Sequence, residues 1–180
     1  MEIVNCGVKK SIIFVIIFLM VLGAYCFYIF KSTNILNLNS KIDFIKVDKS
    51  ERKLYAYSAN KLIKVYNIAL GKNPKGAKHF QGDNKTPEGE YHINARNPNS
   101  IAYKNLGISY PNNNDIANSK RFGKPTGGDI KIHGMMNGLG FIGRFHTCFD
   151  WTNGCIAVTN SEMEELFKHI KIGTTIKIVP

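Results

Sequence analysis

From Ser11 to Phe30 the chain reads SIIFVIIFLMVLGAYCFYIF, 20 residues without a charge. As a helix rising about 1.5 Å per residue, such a run is roughly 30 Å long, the hydrocarbon thickness of a bilayer. Lys9 and Lys10 precede it and Lys31 follows, an imbalance that favours a cytoplasmic N-terminus. A cleaved signal peptide is the rival reading. Against it stand the long apolar region, the bulky exit at Tyr25, Phe27, Tyr28 and Phe30, and the lack of an A-x-A-like site. Tyr25 also stands before Cys26, where a lipoprotein signal needs a small residue. The expectation is an uncleaved single-pass anchor at 11–30 in the cytoplasmic (inner) membrane, with residues 1–10 cytoplasmic. A polar, Asn-rich tether at 31–41 then leads to one domain at 42–180, outside the cytoplasm.

The remaining length suits a single ordinary domain. Hydrophobic residues make up 44% of the chain, which excludes a disordered protein, and four cysteines are too few for a disulfide scaffold. Setting aside Glu2, Lys9 and Lys10 leaves 22 basic and 12 acidic residues, a net +10 on 31–180. A basic surface suits nucleic acid, an anionic membrane or an anionic polymer, or simply keeps the domain soluble. Outside the cytoplasm nucleic acid drops out, and an anionic wall polymer or lipid surface fits better.

Beyond the tether the pattern takes the period of strands. KIDFIKVD (41–48), KLYAYS (53–58) and KLIKVYNIAL (61–70) are rich in β-branched and aromatic residues, and Ala59-Asn60 joins the last two as a hairpin. Leu54, Ala56 and Ser58 point one way, Tyr55 and Tyr57 the other. Gly71 to Gly89 is dense in Gly and Pro and reads as a sizeable loop. EYHINA (90–95) and DIKIH (129–133) read as strands. The stretch 97–128, with Pro98, Pro111 and Pro125, favours loops with a helical turn or two at Asp115–Lys120. Gly138–His146 is ambiguous. Ser161 with Glu164 has the spacing of a capping box, followed by Met163, Leu166, Phe167 and Ile170 on one face. GTTIKIVP (173–180) closes as a strand. The fold expected is mainly β with one or two helices, a sandwich or open barrel.

Cys6 is placed in the cytoplasm and Cys26 in lipid, which leaves Cys148 and Cys155 in the outer domain. Cys155 lies in TNGCIAV, a polar turn with Gly154 followed at once by an apolar run, so its thiol heads a strand. A free thiol ionises near pH 8.5 and needs an imidazole partner to act at neutral pH. His133 ends a predicted strand before Gly134, which would leave its ring accessible. The bland alternative for Cys155 is a buried structural thiol. For Cys148 the readings are a redox lock with Cys155 or, preferred, burial as a small hydrophobe. His79 and His92 read as solvent-facing or hydrogen-bonded. Asp150 and Asp129 order loops or cap turns. A zinc site from His133, His146, Cys148 and Cys155 has suitable atoms but lacks ligand spacing, so no metal and no cofactor are expected.

IHG (132–134) followed by DWTNGCIAVTN (150–160) resembles the catalytic core of the L,D-transpeptidases, the YkuD-domain family. The upstream GKNPKGAKHFQGDNKTPEGEY (71–91) is similar to that family's strand-loop segment. The likeness covers about 42–180 and is nearest the YafK-like branch. It implies a YkuD-like β-sandwich or open barrel in which Cys155 is the nucleophile and His133 the general base that becomes the acid. It also implies a Gly134 carbonyl orienting His133, and an oxyanion hole from the Cys155 backbone with help from the Gly154 turn. The reaction implied is attack on a peptidoglycan tetrapeptide stem, a thioester with D-alanine released, then transfer to an amine. Hydrolysis that detaches proteins or residues from stems is the alternative, and a non-catalytic peptidoglycan-binding module the second. The implied partners are stem peptides and a wall-linked protein.

Two positions depart from the family pattern: Asn153 stands where a His is usual, and Ala157 where an Arg is frequent. The interval of 22 positions from His133 to Cys155 is also long, enough for a flap with Phe141, Arg144 and His146. Substrate contacts are expected from Asn153 and Trp151, and from Arg144 and Arg96 (with Arg121 and Lys124) as carboxylate-gripping cations. The bland readings are core packing for Trp151 and solvated cations for the rest.

Overall fold

The computed structural model describes the backbone of residues 3–30 and 41–180, and side chains at 11–25 and 41–180. The chain divides into two compact units, 1–35 and 36–180. The first holds one helix, α1 (Ile3–Phe30). Its described side chains, at 11–25, are all exposed. No helix among the described residues is long and apolar enough to cross a membrane. The rest of the expected anchor, side chains 26–30, and the tether at 31–40 lie outside the described residues.

In the second unit, β1 (Ile42–Asp48), β2 (Lys53–Ser58) and β3 (Lys61–Asn67) form an antiparallel meander. Ile45, Val47, Leu54 and Ala56 alternate into the core at 0% exposure, as period-two patterning demands. Ala59 and Asn60 both take positive φ, 47° and 63°, the backbone of a tight hairpin turn matching strand twist. Next come β4 (Gly89–Ser100), β5 (Tyr103–Ile108), α2 (Asn113–Arg121) and β6 (Lys131–His133). A 3-10 helix (Gly140–Cys148), β7 (Ile156–Ala157), α3 (Asn160–His169) and β8 (Ile170–Val179) complete the unit.

All eight strands belong to one sheet, ordered β3-β2-β1-β8-β4-β5-β6-β7. β8 threads the middle, parallel to β1 and antiparallel to β4. The sheet curls into a half-barrel, and an isolated bridge from Ala69 to Ala157 ties the chain after β3 to β7, at the far end of the order. The mainly-β expectation holds, with one curled sheet rather than two stacked ones. The helices exceed the one or two expected, because 140–148 winds into a 3-10 helix kinked at Gly143 (φ 54°).

Two local readings change. The stretch around Pro98, read as loop, carries the end of β4 and the start of the β4–β5 hairpin. The ladder is irregular between Asn97 and Ser100, which is where a sheet tolerates proline. The α3 cap is Thr159 with Glu162, not Ser161 with Glu164: the Glu162 amide reaches Thr159 Oγ1 and the Thr159 amide reaches Glu162 Oε2 at 3.0 Å. Both pairs have the capping spacing, but Glu162 is buried (6% exposed), where its carboxylate takes backbone and hydroxyl donors. Glu164 instead accepts from Tyr103 and Lys104.

Candidate active site

β6 and β7 run parallel with Ile132 opposite Ile156 and His133 opposite Ala157. Ile132 and Ile156 are fully buried in the core. Alternation therefore turns their neighbours, His133 at the end of β6 and Cys155 just before β7, to the opposite face. Both line one cavity of about 410 Å³, whose wall also includes Lys72, Lys131, Trp151 and Asn153.

His133 is 8% exposed and lines the cavity. Its Nδ1 lies 2.6 Å from the Gly134 carbonyl oxygen. That contact makes Nδ1 the donor and leaves Nε2 with a free lone pair. Trp151 meets the imidazole edge-on at 5.7 Å between ring centroids. Burial holds the His133 pKa below the ordinary 6.5; the Gly134 bond opposes this and Lys131 adds to it. At Gly134 an added Cβ would lie 2.7 Å from Asn160 Oδ1 and 3.0 Å from Tyr103 Cβ, so only glycine fits this corner.

Cys155 Sγ sits 3.7 Å from the Asp129 carbonyl oxygen. Burial pushes its thiol above the ordinary 9.0, with Lys131 working the other way. At neutral pH the cavity is thus lined by an uncharged thiol and an uncharged imidazole.

The turn carrying Cys155 is tied by residues the sequence reading did not single out. Thr152 Oγ1 donates to the Cys155 carbonyl at 2.7 Å and accepts from the Gly154 amide at 3.1 Å. Gly154 therefore has its N–H already committed and serves by conformation: its φ is 129°, and a Cβ there would lie 2.7 Å from the Lys85 carbonyl oxygen. Asp150 orders the loop as expected, accepting the Leu70 amide at 2.8 Å and pairing with Arg52 at 2.9 Å. Ala157 is fully buried and exchanges amide bonds with Ala69, so an arginine at 157 has no room.

Of the expected substrate contacts, Asn153 and Trp151 line the cavity and Arg96 and Arg144 do not. Arg96 lies over the Phe167 ring at 4.5 Å, and Arg144 reaches Glu162 at 3.4 Å. The cations on the wall are Lys72 and Lys131. Their signal was available only in part: Lys131 lies two residues before His133 on a strand, hence on its face, whereas Lys72 arrives from a distant loop. Cys148 is exposed rather than buried, and both it and Cys155 are free. His92 is exposed as expected, while His79 stacks on Phe122 at 5.1 Å with Nδ1 buried and unpartnered. Among the described residues no group of three or more His, Cys, Asp or Glu is placed to hold a metal.

The expected flap divides: Phe141 points outward at 84% exposure and His146 inward at 1%, with neither ring nitrogen partnered. Burial, with His133 adding a smaller push, takes the His146 pKa down to about 4. Between pH 6.5 and 4 the unfolded chain binds a proton there and the folded chain does not. Stability is therefore full above 6.5 and declines as pH falls to about 4, by about 3 kcal/mol in total. His146→Phe is expected to flatten that slope in urea unfolding at pH 7 and pH 4.5; an unchanged slope refutes the assignment.

The second unit is thus a curled β half-barrel that presents one thiol and one imidazole in a single cavity. The chain matches the L,D-transpeptidase catalytic domain, YkuD, over residues 42–178, and it belongs to that family. It is 30% identical over 133 residues to the candidate L,D-transpeptidase YafK of Escherichia coli (strain K12), covering 71% of this chain and 46% of YafK. It is 33% identical over 138 residues to the candidate L,D-transpeptidase YqjB of Bacillus subtilis (strain 168), covering 75% and 70%. Among solved structures it is similar to the helical cell shape determining protein Pgp2 of Campylobacter jejuni, with 26% identity and a TM-score of 0.56. That alignment covers 78% of this chain and 48% of Pgp2. The chain thus spans about half the length of YafK and of Pgp2.

Proposed function

We propose that this protein is a cysteine-dependent L,D-transpeptidase acting on peptidoglycan tetrapeptide stems in cell-wall remodelling. The observation that carries the reading is the shared face of His133 and Cys155 in one cavity, with the Gly134 carbonyl fixing the imidazole tautomer. Nε2 of His133 takes the Cys155 proton as sulfur attacks the carbonyl carbon of the stem's third residue. The Cys155 backbone N–H is the proposed oxyanion donor. The C–N bond then breaks, the imidazolium returns its proton to the departing D-alanine amine, and a thioester remains. An amine from another stem or a wall-linked protein attacks the thioester, His133 takes that amine's proton, and the thiol is regenerated. Family membership and the cell-shape role in Pgp2's name support a wall substrate.

The test is the full chain in detergent with a purified tetrapeptide muropeptide, followed by mass spectrometry of protein and products. An acyl adduct with D-alanine released supports the reading, and a cross-linked product identifies transfer. Release without cross-linking assigns hydrolysis instead. No adduct and no release, on free or protein-linked stems, refutes both and leaves a binding module.

The same proposal places the domain outside the cytoplasm on a single-pass anchor at 11–30. The support is the uncharged run between Lys10 and Lys31 and the helical backbone of Ile3–Phe30. Full-length protein is expected to stay with carbonate-washed membranes; release into the soluble fraction removes the anchor from the proposal.

A further inference from the structure

Cations near the cavity differ in whether a carboxylate already neutralises them. Lys131 pairs with Asp129 at 2.7 Å, Lys78 with Asp83 at 2.7 Å, and Arg52 with Asp150 at 2.9 Å. Lys72 lines the cavity and makes no ion pair among the described residues; its Nζ donates to the neutral amide oxygen of Asn153 at 3.0 Å. An ammonium has three donors, so two remain for a ligand. The same bond fixes the Asn153 amide, with Oδ1 toward Lys72 and Nδ2 left as a further donor.

The backbone of Lys72 is built into the turn that carries Cys155. Its amide donates to the Thr152 carbonyl at 2.9 Å, and Gly71 bridges to Thr152. A Cβ on Gly71 would lie 3.0 Å from Gly154 Cα and 2.2 Å from the Asn84 carbonyl oxygen, so glycine is what lets this segment come so close. Asn153 precedes Cys155 by two residues, which separates their Cα atoms by at most about 7 Å. A carboxylate one residue beyond a carbonyl attacked by Cys155 falls within that span.

We propose that Lys72 and Asn153 form the binding site for the free C-terminal carboxylate of the residue that leaves when Cys155 is acylated, so that the enzyme selects stems cleaved at their terminal residue. This rests on the acyl-transfer reading above and adds the substrate's end-group to it. The neutral partner of Lys72 leaves its charge for the ligand, and a charge-assisted bond to a carboxylate is stronger than one between neutral groups.

The test uses the full chain in detergent and three synthetic tetrapeptides with diaminopimelate as third residue: the free acid, its C-terminal carboxamide, and a peptide amidated only on the diaminopimelate side-chain carboxylate. The wild-type protein is expected to show kcat/KM about tenfold lower on the C-terminal carboxamide, the size of one charge-assisted hydrogen bond. Lys72→Met should lose about tenfold on the free acid and on the side-chain amide, through KM. On the C-terminal carboxamide it should lose clearly less, about threefold at most, the size of a neutral hydrogen bond, and Lys72→Arg should keep the acid preference. Equal losses on acid and C-terminal carboxamide overturn the proposal. An effect that vanishes only on the side-chain amide moves the site to that carboxylate and also overturns it. Calorimetric binding to Cys155→Ala separates this from the parent reading. If no peptide is turned over, the acyl-transfer reading fails, while a tenfold Kd gap between acid and carboxamide that Lys72→Met closes sustains the carboxylate site. Equal Kd values refute it.

Discussion

Replacing Cys155 with alanine is expected to abolish the acyl-enzyme adduct and to lower D-alanine release by at least about 10³-fold, as loss of a covalent nucleophile does. The protein should remain folded. The side chain faces the cavity rather than the core, and Ile156, Ala157 and Val158 beyond it carry the packing at 0% exposure. The turn itself is held by Thr152 and Asp150, through the bonds to the Cys155 carbonyl, the Gly154 amide and the Leu70 amide. The measurement is intact-protein mass after incubation with tetrapeptide, alongside the thermal unfolding midpoint. Full activity in the alanine variant eliminates the thioester mechanism.

His133→Gln is expected to cost about 10²–10⁴-fold in kcat/KM at pH 7, the range of a general base. The pH profile makes the test specific. Burial lowers the His133 pKa from 6.5, so the neutral, proton-accepting form persists below pH 6.5, and the acid limb of kcat/KM belongs below that value. Cys155 is shifted upward from 9.0, so the thiol supplies almost no thiolate of its own at pH 7. The glutamine variant should therefore lose the acid limb and gain rate only as pH approaches the thiol's raised pKa, where hydroxide does the base's work. A limb at or above pH 6.5 in the wild-type protein, or one that survives in the variant, would mean that another group titrates.

Much of the frame was legible along the chain because its information is local. Alternation in 42–48 and 53–58 announces strands whatever surrounds them, and Ala59-Asn60 marks a hairpin by backbone preference alone. The strand 103–108 was hidden, because YKNLGI has two polar residues and a glycine. It is a strand through its partners β4 and β6, which supply the ladder bonds. The α3 cap illustrates the same limit. Thr159–Glu162 and Ser161–Glu164 are equivalent as patterns, and burial of Glu162 separates them.

For the site, the sequence by itself determined which residue types head the short strands: a thiol after Gly154 and an imidazole before Gly134, in a pattern that named the family. Those are properties of single positions and their immediate neighbours. Only the tertiary structure decided that β6 and β7 lie side by side in a register turning both groups to one cavity. It also removed Arg96 and Arg144 from that cavity and put Lys72 on its wall. The reason is physical: a cation's role depends on which carboxylate or amide reaches it across the fold. Phe167, Glu162 and Asn153 are 71, 18 and 81 residues away from Arg96, Arg144 and Lys72 along the chain.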